Sequence, residues 1–158
     1  MNFFKKLFGK NKASHDCCGG SGADTNSVDF GLSDDSLKII KSIDEKIVVG
    51  KIIEKRDHQD PKMTKVKVCQ VDFGTDKKQI LCGGTNTYEG QIVVVAMVGA
   101  KLSEDFEISE REIRGELSSG MICARSELGI TDTQEEKGEI WELPKSLEGK
   151  LGTALNQL

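Results

Sequence analysis

Lysines are the residues best placed to do chemistry in this chain. Lys62, Lys65, Lys67, Lys77 and Lys78 crowd a stretch that also holds Lys51, Lys55 and Arg56, and together they outnumber Glu54, Asp57, Asp60, Asp72 and Asp76. Such a cluster could track phosphate oxygens along a strand pair; it could equally be the solvated face that lysines supply in any soluble protein. Catalytic chemistry lacks its parts. With only His15 and His58 there is no Ser–His–Asp set, and no Gly-x-x-x-x-Gly-Lys loop is present to cradle a nucleotide. Carboxylates are plentiful, but no spacing marks two of them as an acid and a base. The chain reads as a non-enzyme without a cofactor.

Five cysteines form no regular framework. Cys69, Cys82 and Cys123 have apolar neighbours and read as small buried hydrophobes rather than metal ligands. Cys17 and Cys18, with His15 nearby, lack the Cys-x-x-Cys spacing of a zinc knuckle. They would be reactive if exposed. An odd thiol count without an apolar secretory segment fits reduced cysteines in a cytoplasmic protein.

The elements that must carry the lysines follow from periodicity. Residues 1–32 read as an unpacked leader, since 11–31 are rich in Gly, Ser, Asn and Asp with little to bury. If helical, its start would gather Phe4, Leu7 and Phe8 between lysines, a turn suited first to a tail, then to docking, and least to a membrane surface. A short helix is expected over 33–46, with Ser33 as cap, Asp34 and Asp35 in the first turn, and Leu37, Ile40 and Ile43 on one face. Beyond it the period becomes two. Strands are expected at Ile47–Lys55, Lys65–Phe73, Lys78–Cys82, Gln91–Met97 and Gly120–Arg125. The second of these alternates as a half-exposed strand does, whereas Ile92–Val98 is continuously apolar and belongs in the centre. Residues 131–158 are expected to lie across the outside, anchored by Trp141. Short strands separated by Gly-rich turns indicate a closed antiparallel barrel or a sandwich.

Charge and aromatic content narrow the ligand. A net charge of −4 weakens any bulk attraction to nucleic acid, so binding would have to rest on local basic residues. Aromatic residues make up 5% of the chain, too few for a general single-strand binder that stacks bases.

Several blocks then occur in a telling order: VVGKI at 48–52, VCQVDFG at 68–74, ILCGGTN at 80–86, EGQ at 89–91, RGELSSGMIC at 114–123 and ELG at 127–129. No block is specific alone, but their joint spacing resembles the tRNA-binding domain near the start of bacterial phenylalanyl-tRNA synthetase β chains. Similar domains occur in small stand-alone tRNA-binding proteins. The resemblance covers 47–130, roughly half the chain, and implies an all-β fold: a five-stranded Greek-key oligonucleotide-binding barrel capped by the short helix. It implies binding of tRNA by shape and backbone, with Lys62, Lys65, Lys67 and Lys78 on phosphates, and with Asn86 and Arg114 as the polar residues of the matched blocks. Arg114 could grip a phosphate or a base, or pair with Glu112 or Glu116 and fix its loop. Ser118, Gly120 and Met121 would shape the loop and present backbone amides; otherwise Gly120 supplies only a backbone angle and Met121 only core. One departure stands out: where the family has His-Pro-x-Ala-Asp-Lys-Leu, this chain has DPKMTKV at 60–66, so Asp60 replaces the His and Thr64 the Asp. The long later part of a synthetase β chain is missing, and the start differs from one, which favours an independent small protein. A homodimer or a synthetase is the further partner to expect. The rival reading is a docking or accessory module that has weakened or lost RNA binding.

Overall fold

The structure, a computed structural model, describes residues 30–131 and 135–158. The expectations for Phe4, Leu7, Phe8, His15, Cys17 and Cys18 lie outside these residues. Helix α1 (Asp34–Ser42) begins where capping chemistry places it: the Ser36 amide donates to Ser33 Oγ at 3.3 Å, with Asp34 and Asp35 at the positive end and Lys41 in the last turn. Among the described residues, no helix is long and apolar enough to cross a membrane.

Four longer strands follow: β1 (Ile47–Asp57), β2 (Lys67–Asp72), β3 (Lys77–Cys82) and β4 (Ile92–Met97). They lie antiparallel in the order β4–β1–β2–β3. Two small hairpins come next, β5 (Lys101–Ser103) with β6 (Phe106–Glu107), and β7 (Arg111–Ile113) with β8 (Glu116–Ser118). Both β9 (Gly120–Ile122) and β10 (Glu142–Leu143) pair with β4, at its Met97 and Ile92 ends respectively.

Strand β1 serves two neighbours because it bends. Its first half, 47–51, pairs with β4, and residues 51–57 pair with β2 across a register shift between Ile52 and Glu54. A bulge of this kind sharpens the coil of a sheet. The coil brings the far edges together, where the Ser119 amide donates to Gln79 O at 2.9 Å and the Leu81 amide to Ser118 Oγ at 3.0 Å. The expected all-β class and strand arrangement are therefore present. The fifth strand is split into β8 and β9, and the seam against β3 is made by single bonds, so no continuous ladder closes the barrel.

Burial explains why β4 is apolar at every position. Val93 and Val95 join Val48, Ile52, Cys69, Val71, Phe73 and Ile80 in the barrel interior. Ile92, Val94 and Ala96 face the other way, with Ile47 and Val49, into a second core built with Ile40, Trp141, Leu143, Leu147 and Leu155. A strand covered on both faces cannot alternate. At Gly50 the backbone runs so close to the interior that a Cβ would sit 2.6 Å from Val71 Cγ1.

Three expectations need correction. Strand β2 starts at Lys67 and is not half-exposed, because Val68, Cys69 and Val71 are all buried. The segment carrying Arg114, expected as a loop, is the tip of the second of two short hairpins. The C-terminal segment does more than lie outside: β10 extends the sheet, Val49 exchanges backbone bonds with Gly152 and Thr153, and Trp141 is buried with Phe30 packed edge-on at 5.9 Å.

Candidate nucleic-acid interface

At the tip of the β7–β8 hairpin stands Arg114, among the described residues the one non-glycine with a positive φ. Ile113 pairs with Glu116, leaving Arg114 and Gly115 as a two-residue turn with φ of 49° and 85°. Both residues of such a turn must be left-handed, which suits Asn or Gly and costs an arginine about 1 kcal/mol. Against this tip folds the loop between β1 and β2. His58 Nε2–H donates to Ile113 O at 2.9 Å, Gln59 Nε2 to Arg114 O at 2.8 Å, and Arg114 Nη1 to Asp60 Oδ2 at 2.7 Å. The Asp60 amide donates to His58 Nδ1 at 2.9 Å, which fixes the proton on Nε2. Two loops distant in sequence are thereby laced into one surface.

Beneath the lacing sits a second, tighter tie. Arg56 forks onto Glu116 through Nη1 at 2.7 Å and Nη2 at 2.9 Å, and Gln79 Nε2 adds bonds to Glu116 Oε2 at 3.2 Å and Leu117 O at 2.9 Å. The Arg56 guanidinium holds the Glu116 carboxyl below its usual range. Asp60 is also lowered, first by the Lys62 amide on its Oδ1 and then by Arg114. Asp57 is lowered by its bond from Lys67.

The structure gathers some of the sequence-predicted residues and separates others. Lys62 and Lys65 are exposed on the laced loop, Lys67 opens β2 directly across from Asp57, and Arg114 caps the hairpin beside them. Lys78 lies elsewhere: it faces Val71, four residues along β2 from Lys67 and hence about 13 Å away, and its ammonium is 3.8 Å from Asp76. Arg114 pairs with neither Glu112 nor Glu116, since Asp60 takes its Nη1.

The remaining predicted residues are engaged within the framework. Asn86 clasps the Ile140 peptide through both ends of its amide. Ser118 is buried, accepts from Leu81 and donates to Gly120 O at 3.0 Å. At Gly120, φ is 156° and a Cβ would lie 2.9 Å from Ala96 O. Met121 is half-buried against the outer core. Sequence reading named Arg56, His58 and Glu116 but gave none of them the role it has here. The Arg-Gly dipeptide could have signalled the turn, but nothing local ties Arg56 to a carboxylate 60 positions on. Cys69, Cys82 and Cys123 are buried thiols; burial pushes Cys82 up to about 12 and Cys123 higher still.

Comparison with known proteins supplies a context for this geometry. A family described as "Putative tRNA binding domain" matches residues 47–152. The phenylalanine–tRNA ligase beta subunit of Wolinella succinogenes is 42% identical over 130 residues, which are 82% of this chain and 16% of that subunit. The "Putative tRNA-binding protein YtpR" of Bacillus subtilis is 42% identical over 100 residues, 63% of this chain and 49% of that protein. This chain thus spans less than half the length of either relative. Among solved structures, a MetRS-related protein from Pyrococcus horikoshii aligns with 68% of this chain and 86% of its own, at 18% identity and a TM-score of 0.47.

Proposed function

The chain belongs to the tRNA-binding domain family, and from that footing we propose that it is a non-catalytic tRNA-binding module. The observation that carries this reading is the lacing of the 58–66 loop to the Arg114 hairpin. In oligonucleotide-binding barrels the loop joining the first two strands and the loop joining the last two border the ligand face; here those loops hold Lys62, Lys65 and Arg114, with Lys67 at the edge of the first. These cations address phosphate oxygens, which position an RNA without reading its bases. Few aromatic side chains accompany them, so the ligand is a folded RNA recognised by shape and backbone rather than an unstacked strand. The role is cytoplasmic, in translation.

Titration of unfractionated tRNA against an unrelated oligonucleotide of equal length, followed by gel shift at two salt concentrations, tests the proposal. Preferential retardation of tRNA that fades with salt is expected. Equal retardation of both probes would overturn it.

A second reading draws on the ion pairs themselves. Arg114, Lys67 and Lys78 each face a carboxylate, at Asp60, Asp57 and Asp76. A face already neutralised in this way also fits an accessory module docking on a synthetase or on a second copy of the chain. Association that survives ribonuclease treatment would favour docking.

A further inference from the structure

We propose that the Asp60 carboxylate occupies the place of an RNA phosphate on Arg114, so that ligand binding proceeds by exchange of one anion for the other. The inference rests on the tRNA-binding reading and specifies how its site is held in the free protein.

Three cation–carboxylate pairs crowd this end of the barrel, and they differ in kind. Arg56–Glu116 is bidentate, its carboxylate is 8% exposed and Gln79 supports it, so it belongs to the framework. Arg114–Asp60 uses a single Nη1–Oδ2 bond, with the arginine side chain 55% exposed and the aspartate 21%. A guanidinium offers five N–H donors in a fork that matches carboxylate and phosphate alike. One bond to Asp60 leaves most of that fork facing solvent. A singly bonded pair open to solvent on its arginine side contributes little in water, so a phosphate brought by a polyanion can displace the carboxylate. Lys67–Asp57 repeats the pattern beside it, with Asp57 84% exposed.

Arg114 is also held where chemistry alone would not put it. A left-handed φ of 49° is a strained choice for arginine, and the surrounding bonds from His58 and Gln59 fix the backbone on both sides of it. Strain retained at an exposed tip marks a side chain kept for contact. The free protein therefore carries a built phosphate site with its own carboxylate in it. Affinity for RNA is set by the competition between the two anions.

The two oxygens of Asp60 do separate jobs, which makes the test clean. Oδ1 accepts the Lys62 amide at 2.9 Å, while Oδ2 meets Arg114. Asp60→Asn keeps an acceptor for the Lys62 amide and replaces the Arg114 partner with an amide donor. Binding of unfractionated tRNA and of oligouridylate is measured for the intact wild-type chain, Asp60→Asn, Asp60→Asn with Arg114→Ala, and Glu112→Gln. The last makes the same charge change on the hairpin that carries Arg114, at a residue outside the pair. Thermal unfolding of each variant is recorded alongside.

Asp60→Asn is expected to tighten tRNA binding by roughly three- to five-fold at an unchanged salt slope, because Arg114 reaches the phosphate in both proteins and only the wild type must first break its ion pair. The gain should vanish without Arg114 and should exceed that of Glu112→Gln. A gain matched by Glu112→Gln, or one that persists without Arg114, overturns the exchange. If wild type prefers tRNA and Asp60→Asn adds nothing, the exchange alone falls. If Asp60→Asn tightens both RNAs through Arg114 without any tRNA preference, the exchange stands and the tRNA reading falls. Chains that bind no RNA at all overturn both.

Discussion

The side-chain amide of Asn86 holds the Ile140 peptide at both ends, with Nδ2 donating to Ile140 O at 3.1 Å and Oδ1 accepting from its amide at 2.9 Å. This clasp fastens the segment leading into β10 onto the loop after β3. Asn86→Ala leaves two half-buried peptide groups without partners and should destabilise the protein by about 2 kcal/mol. Urea unfolding should show a lower midpoint at unchanged slope. Affinity for tRNA, measured where the variant is still folded, should stay within two-fold of wild type. A variant of normal stability with lost tRNA affinity would move Asn86 from the framework to the RNA.

Arg114 separates stability from binding in the opposite sense. Glycine adopts its left-handed φ without strain, so Arg114→Gly trades about 1 kcal/mol of relieved strain against one exposed ion pair and a freer unfolded chain. The melting temperature should change little. Binding to tRNA should weaken several-fold, and the salt dependence should lose about one phosphate contact. A large fall in melting temperature would show that the Asp60 pair, not the turn, sets the hairpin's stability.

Legibility in the sequence followed the range of the interaction. Helix α1 and β4 could be read because caps, dipole charges and an unbroken apolar run are local signals, and β4's run has its cause in the two cores on either side of it. Strand β2 misled because Val68 is buried as fully as Cys69 and Val71, which lie on its other face. The lysines were visible as a cluster, but their division was not: only the β2–β3 register shows that Lys78 stands at the far end from Lys67. The carboxylates that neutralise the site were hidden for the same reason. Arg56 meets Glu116 across 60 positions and Arg114 meets Asp60 across 54, and no spacing rule reaches that far.

Acid should expose the Arg56–Glu116 pair selectively. Glu116 has its folded value below the ordinary 4.5, chiefly through Arg56. Above the ordinary value both folded and unfolded chains carry the charge, and the pair contributes in full. As pH falls, the unfolded chain takes up the proton first, so that contribution shrinks and is gone once the folded carboxyl also protonates. Glu116→Gln keeps an acceptor for Arg56 but never carries the charge. At neutral pH it should therefore be less stable than wild type, and the gap should narrow as pH falls below the ordinary 4.5. Asp44, Asp57, Asp60 and Glu148 are lowered too and steepen the acid limb of both proteins. They are present in both chains and cancel in the difference. Urea midpoints for the two proteins from pH 7 to pH 3 give that difference directly. Curves that stay parallel throughout would mean that Glu116 supports the hairpin through hydrogen bonds alone, and that the charge on Arg56 is free for a ligand.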